Sequence, residues 1–174
     1  MNVKQKPKRA SKLEKQRLAI RDELWPGVES KLWSRHKRDG FTTVPRALPI
    51  IFRIMDDMAP KGKPVSSTYF ALWCRSFDEA LVSVNSEREL AMESGFSGQR
   101  AESTWVGRMK ILKNLGFIDY RDGPKGRHNY VLLFNPYLVV KGHKQKGAFQ
   151  EQHFVALLAR TQEIGAGDLS DDAI

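Results

Sequence analysis

The sequence predicts an α+β fold that is mostly helical, with a small antiparallel sheet and extra helices at both ends. Three observations carry this. Apolar residues recur at helical spacing in several separate segments. Two apolar runs, one before Asp122 and one after Arg127, flank a glycine- and proline-rich tip, as the strands of a hairpin do. At 174 residues and 41% hydrophobic, the chain suits one packed domain with tails and not wholesale disorder.

Residues 1–10, MNVKQKPKRA, lack apolar content and are expected to be mobile. A helix is expected from Ser11, where Leu13, Leu18, Ile20 and Leu24 form a rough stripe and Pro26-Gly27 ends it. Residues 28–38 suggest a short helix around Leu32 and Trp33, closed by Asp39-Gly40. Thr43 before Val44-Pro45 reads as a cap with an early proline, because a missing N–H is harmless in the first turn. That helix would carry Leu48, Ile51, Phe52 and Met55 to about Met58. After the Pro60–Pro64 loop, Ser66 or Ser67 is expected to cap a helix with Phe70, Leu72, Trp73 and Phe77 in the core. The one cysteine, Cys74, lies in the apolar run Tyr69–Cys74 and is expected to be a buried, inert thiol.

Leu81–Asn85 is short and β-rich. Ser86-Glu87-Arg88-Glu89 matches a capping box, in which the serine takes the N–H three residues on and the last glutamate reaches back. Leu90 and Ala91 face inward, and Gly95 ends the helix in the left-handed conformation. A longer helix is expected from about Gln99 to Leu115, with Ala101, Trp105, Met109 and Leu112 on its packing face. Leu115-Gly116-Phe117-Ile118 closes it and begins a strand. Asp122-Gly123-Pro124-Lys125-Gly126 is a hairpin tip, His128–Phe134 returns as the second strand, and Asn135-Pro136 stops it. A last amphipathic helix is expected over Phe149–Ile164, bearing Phe149, Phe154, Leu157 and Leu158, before an acidic, disordered end. These elements divide the chain into a basic arm with a helix (1–42), a main domain (43–140), a C-terminal helix (141–164) and a tail (165–174).

The net charge of +9 is unevenly placed. It amounts to +8 over residues 1–46, +5 over 47–147 and −4 over 148–174. Positive charge at the front and middle suits a polyanionic partner, although a basic tail by itself serves equally well for solubility. No apolar stretch approaches the length of a membrane span, and no apolar segment follows the basic N-terminus as in a secretory signal. A cytoplasmic protein is expected. His36, His128, His143 and His153 show no metal-ligand spacing, so no metal or cofactor is expected. No Walker-type loop or nucleophile motif appears, and Glu87, Glu89 and Glu93 read as a cap and a solvated surface. An enzyme is not expected.

The outward face of the Gln99–Leu115 helix carries Arg100, Ser103, Gly107, Lys110 and Asn114, with Gln99 and Thr104 on its flanks. A polar face is usually just solvated. Its groups nevertheless match base edges in the major groove: Arg and Lys pair with guanine, Gln with adenine, Ser and Thr with several edges. Gly107 would let DNA approach the backbone, or let a neighbouring element pack closely. Arg121, Lys125, Arg127 and His128 decorate the hairpin and could meet phosphates or the minor groove. Arg108 lies nearer the packing face and is expected to bond backbone, a carboxylate or a rim phosphate.

The turn Ser94-Gly95-Phe96-Ser97, then Ser103-Thr104-Trp105, then Leu112…Leu115-Gly116-Phe117-Ile118 and the hairpin follow one order: helix, turn, recognition helix, wing. Over about residues 43–138 this resembles the winged helix-turn-helix family of DNA-binding domains. Between Gly95 and Gly116 the chain carries about one helical turn more than the family's commonest spacing, around Gly98–Glu102. Asn135-Pro136-Tyr137 looks like the strand ending of some plasmid replication proteins. The resemblance implies sequence-specific binding of double-stranded DNA, with base contacts from Gln99, Arg100 and Ser103 and support from Thr104, Gly107 and Lys110. The wing residues Arg121, Lys125, Arg127 and His128 would complete the site. The protein would be a transcriptional regulator, or a replication or maintenance factor of a plasmid or mobile element, associated with the nucleoid or plasmid. The alternative is a winged-helix module that binds protein. A homodimer through the Phe149–Ile164 helix is one reading, and packing of that helix on its own domain is the other. RNA is disfavoured on the expectation that the tryptophans occupy core positions.

Overall fold

The computed structural model describes residues 11–169. The expectations for residues 1–10 and for the final five residues lie outside the described residues. The chain divides into two compact units, Met1–Phe41 and Thr42–Ile174.

In the first unit, α1 spans Lys12–Leu24, and Ser11 caps it by accepting the Glu14 N–H at 3.2 Å. None of its residues is buried, and the expected stripe of Leu13, Leu18, Ile20 and Leu24 is exposed. Only a single 3₁₀ turn, Val28–Lys31, stands where a helix to residue 38 is expected. Leu32 is already extended, and Arg21 bonds both Asp22 and Glu29.

The described residues of the second unit form an α+β fold of six helices and three strands. α2 spans Leu48–Met58, so it begins later than expected and takes Pro49, not Pro45, as its early proline. Pro45 instead closes a turn by accepting the Leu48 N–H at 3.0 Å. α3 spans Ser66–Arg75, and neither expected serine caps it. The cap is Asp56 of α2, which accepts the Val65 N–H at 2.7 Å, the Ser66 N–H at 2.9 Å and the Ser66 hydroxyl at 2.6 Å. The helix buries Thr68, Tyr69, Ala71 and Leu72. Phe70 lies on its outer side, and Phe77 lies past its end, 81% exposed. Cys74 is exposed as well, one residue before the α3–α4 ion pairs of Arg75. An apolar run on a half-buried helix includes its outer face, and this corrects the expectation of a buried thiol.

β1 (Leu81–Ser83) leads to α4 (Glu87–Glu93), α5 (Ala101–Leu115), β2 (Ile118–Gly123) and β3 (Gly126–Leu133). The strands form one antiparallel sheet in the order β1-β3-β2, with Val82 opposite Val131 and Tyr120 opposite Val131. Val82, Val131, Leu133 and Ile118 face inward against Trp105, Met109 and Leu112 of α5 and Tyr69 and Leu72 of α3. This core is closed by Ile51, Ile54 and Met55 of α2 and by Phe117.

Asn135-Pro136 ends the strand as expected but also starts a helix that the sequence reading lacks. α6 spans Pro136–Gln145, with Asn135 accepting the Tyr137 N–H at 3.0 Å and the proline in the first turn. Two valines and Gly142 lower its helix propensity, and burial of Tyr137 and Val140 outweighs that. α7 spans Glu151–Glu163 and packs on α2 through buried Leu157, with His153 against Asp57 at 2.5 Å. It therefore packs back on its own domain. Residues 165–169 do not run free as the disordered tail was expected to: Ala166 donates to Thr161 O at 2.8 Å, and Leu169 packs on the core.

Candidate nucleic-acid interface

The connection between α4 and α5 is built by its own polar groups. Ser86 caps α4 by accepting the Glu89 N–H at 3.2 Å. Glu89 is engaged elsewhere than in the reciprocal bond: it and Glu93 pair with Arg75 of α3. This holds the Glu93 carboxyl below its usual range, chiefly through its bond to Arg75, and ties α4 to α3. Ser94 is buried and donates to Leu90 O at 2.6 Å. Gly95, at φ +87°, then turns the chain so that Phe96 N–H reaches Ala91 O at 2.9 Å.

α5 starts at Ala101, with Arg100 as its cap residue, so Gln99 and Arg100 sit in the approach turn and not in the helix. Both are exposed. Within α5, Trp105, Met109 and Leu112 are buried as expected. At about 100° per residue, Ser103, Gly107, Lys110 and Asn114 share the opposite side. Ser103, Lys110 and Asn114 are exposed, while Thr104 is half-buried. The Ser103 hydroxyl donates to Arg100 O at 3.0 Å, which leaves it acceptor capacity. Gly107 has no heavy atom near the position a Cβ would take, so it serves no close packing within the described residues. Arg108 lies 5.6 Å over the Phe96 ring, and its buried Nε has no hydrogen-bond partner. The expected bond to backbone or a carboxylate is not made by this Nε among the described residues.

The hairpin is fixed more firmly than its composition suggests. Pro124-Lys125 forms the turn, and the Lys125 N–H and ammonium bond Asn129 Oδ1 at 3.4 Å and Asn85 Oδ1 at 2.9 Å. Buried Asn129 also donates to Val84 O at 2.9 Å. A Cβ on Gly123 would collide with the Asn129 side chain and the Tyr130 ring, so any larger residue at this strand end would displace one or both. Arg121 is exposed but paired with Asp119 at 2.8 Å, and Lys113 of α5 meets the same carboxylate at 2.7 Å. The bond to Lys113 is the main cause that holds Asp119 below its usual range. Arg127 is exposed and has no ion pair among the described residues.

His128 is not a surface residue of the hairpin, and this corrects its place in the expected site. It is 4% exposed, with Nδ1 2.7 Å from Glu87 Oε1 and its ring between Trp105 and Tyr120. The register shifts between Arg121 and Gly123, so β3 gains residues relative to β2 and turns both His128 and Asn129 inward. Strict alternation puts only one of the two inside. His128 thus ties β3, close to the hairpin turn, to the N-terminus of α4.

Sequence reasoning missed Asn85, Asn129 and Lys113, which orient the hairpin. Two asparagines beside a β-run were the available signal, since asparagine is unusual in a strand and its side chain can satisfy a bulged backbone. The expectation that the tryptophans are core residues holds only for Trp105 and partly for Trp73. Trp25 and Trp33 are 60% and 63% exposed. Among the described residues, no group of histidine, cysteine or carboxylate side chains is able to hold a metal, and no helix is long and apolar enough to cross a membrane. Comparison with family models, curated proteins and solved structures gives no match.

Proposed function

We propose that residues 43–138 form a winged helix-turn-helix unit that binds double-stranded DNA in a sequence-specific manner. The observation that carries this reading is α5 itself: its buried side is locked into the core, and its opposite side is a polar stripe with an open glycine. The order α3, β1, α4, turn, α5, β2, β3, with β3 in the centre of the sheet, is in keeping with it. A helix of this kind fits the major groove, where Lys110 and Arg100 would seek guanine and Gln99 adenine. Arg100 and Gln99 would act from the approach turn, which also accounts for the long spacing before Gly116. Ser103 would accept from a base amine. Gly107 would let the phosphate backbone come close. Lys125 and Arg127 would meet phosphates, whereas Arg121 is already neutralised by Asp119. Glu87–His128 and Asn85–Lys125 hold the hairpin against the N-terminal end of α4.

The protein would act without a cofactor, as a transcriptional regulator or as a plasmid or mobile-element replication factor. A second reading, a protein-binding module or homodimer, has its own support. The outer sheet face exposes Leu81, Tyr130, Leu132 and Phe134, with Leu138 of α6 beside them. The test is selection of bound sequences from a random duplex pool at near-physiological salt. Enrichment of a motif, lost in Arg100→Ala/Ser103→Ala, supports the proposal, and inverted half-sites add a dimer. With about six phosphates contacted, log K should fall against log[salt] with a slope near −5. No duplex binding at any salt would sink the proposal in favour of the protein-binding module.

A further inference from the structure

The first unit presents an arrangement that duplex binding by α5 does not use. Ser34 forms a turn in which its hydroxyl accepts the His36 N–H at 3.3 Å and its carbonyl accepts the Lys37 N–H at 3.0 Å. The turn reverses the chain and brings Trp33 and Phe41 edge to face, 6.0 Å between ring centres. Between them lies a basic tip of Arg35, His36, Lys37 and Arg38, with Asp39 as the one acidic residue. Arg35, Lys37 and Arg38 make no ion pair among the described residues. The rings are not a core: Trp33 is 63% and Phe41 49% exposed.

Large aromatic side chains left in water as a pair mark a contact surface, because their burial elsewhere would be favourable. Unpaired cations between them point to an anionic partner with flat apolar parts. We infer that this loop binds single-stranded DNA, the rings stacking on unpaired bases while the cations follow the sugar-phosphate chain. Stacking of this kind tolerates any base, since every base has a π-face. A duplex offers no such face, as its bases are stacked on one another. A membrane surface is a poorer fit. Leu13, Ile20 and Leu24 make only a narrow stripe on α1, and Glu14, Asp22 and Glu23 stand among its cations. The inference rests on the proposed function only for the choice of DNA over RNA.

The test uses the full chain and a labelled thymidine oligonucleotide of about 15 nucleotides, within the usual site size of such surfaces. A duplex, the matching ribo-oligomer and phosphatidylserine vesicles are titrated in parallel. The wild type should bind the single strand. Trp33→Ala/Phe41→Ala should weaken that binding about 10-fold or more and leave duplex affinity unchanged. Arg35→Ala/Lys37→Ala/Arg38→Ala should lower the single-strand salt slope by about 2. None of these side chains is buried, so the variants retain the second unit's fold. Absence of single-strand binding, or an unchanged affinity in Trp33→Ala/Phe41→Ala, overturns the inference. So does tighter binding of the ribo-oligomer, or aromatic-dependent binding confined to vesicles. Single-strand binding without duplex binding would instead sink the proposed function and leave this loop's role standing.

Discussion

At the scale of single residues, the most informative side chains are those whose polar atoms meet nothing. Tyr69 packs against Phe52, Trp73 and Phe117, and its buried hydroxyl has no hydrogen-bond partner. Burial pushes its phenol well above the usual value. A buried donor without a partner carries a desolvation penalty, so Tyr69→Phe should leave stability unchanged or raise it by up to about 1 kcal/mol. Denaturant unfolding reads this directly, and a loss above about 1 kcal/mol would reveal a bound water on the hydroxyl. Gly107 gives a prediction of divided sign. Alanine there meets open space and favours the helix, so Gly107→Ala should stabilise the fold by about 0.5–1 kcal/mol. If DNA approaches the α5 backbone at this point, the same variant binds its site more weakly. Stronger folding with undiminished binding would move the DNA away from Gly107. Residue type made the core positions of α5 legible in the sequence, because Trp105, Met109 and Leu112 share a helical period. It misled at His128 and Cys74, whose surroundings depend on a strand bulge and on which side of α3 faces out.

At the scale of elements, local signals located most helices and misplaced what holds them. Ser11, Ser86 and Gly95 act where the sequence puts them, because each cap is satisfied within a few residues of itself. The start of α3 is satisfied from another helix, and no local pattern reveals that. Asp56 accepts three bonds from Val65 and Ser66, so α2 and α3 are joined through one carboxylate. Asp56→Ala should therefore cost about 2–3 kcal/mol, more than an ordinary cap, since it strands two N–H groups at a part-buried helix start. Asp56→Asn should recover part of this. A loss below about 0.5 kcal/mol in thermal or denaturant unfolding would mean that water replaces the carboxylate. α6 escaped notice for a related reason. Asn-Pro ends strands and begins helices with equal ease, and only burial of Tyr137 and Val140 decides between the two. The hairpin was legible as a hairpin, but its rigidity was not, since Asn85 reaches Lys125 across a long stretch of sequence.

At the scale of the whole molecule, the acid response and the division of the chain can be tested together. Glu93 and Asp119 both titrate below the usual carboxylate range, held by Arg75 and by Lys113 respectively. Their ordinary values govern the unfolded chain, so below about pH 4.5 the unfolded state takes up more protons than the folded one. The stability these pairs contribute is complete at neutral pH and is lost as pH falls through the lowered folded values. Melting temperature should drop between about pH 4.5 and 3, and less steeply in Arg75→Ala/Lys113→Ala, which starts lower. All four groups lie beyond Thr42, in the unit that holds the whole buried core. Deleting residues 1–41 should accordingly move the melting temperature by less than about 3 °C and leave the acid profile unchanged, because no described residue before Thr42 is buried. The same deletion should abolish single-strand binding and spare selection of a duplex motif. A melting temperature lowered by more than about 5 °C would mean that the first unit supports the fold of the second, and its exposed aromatics would then have a structural role.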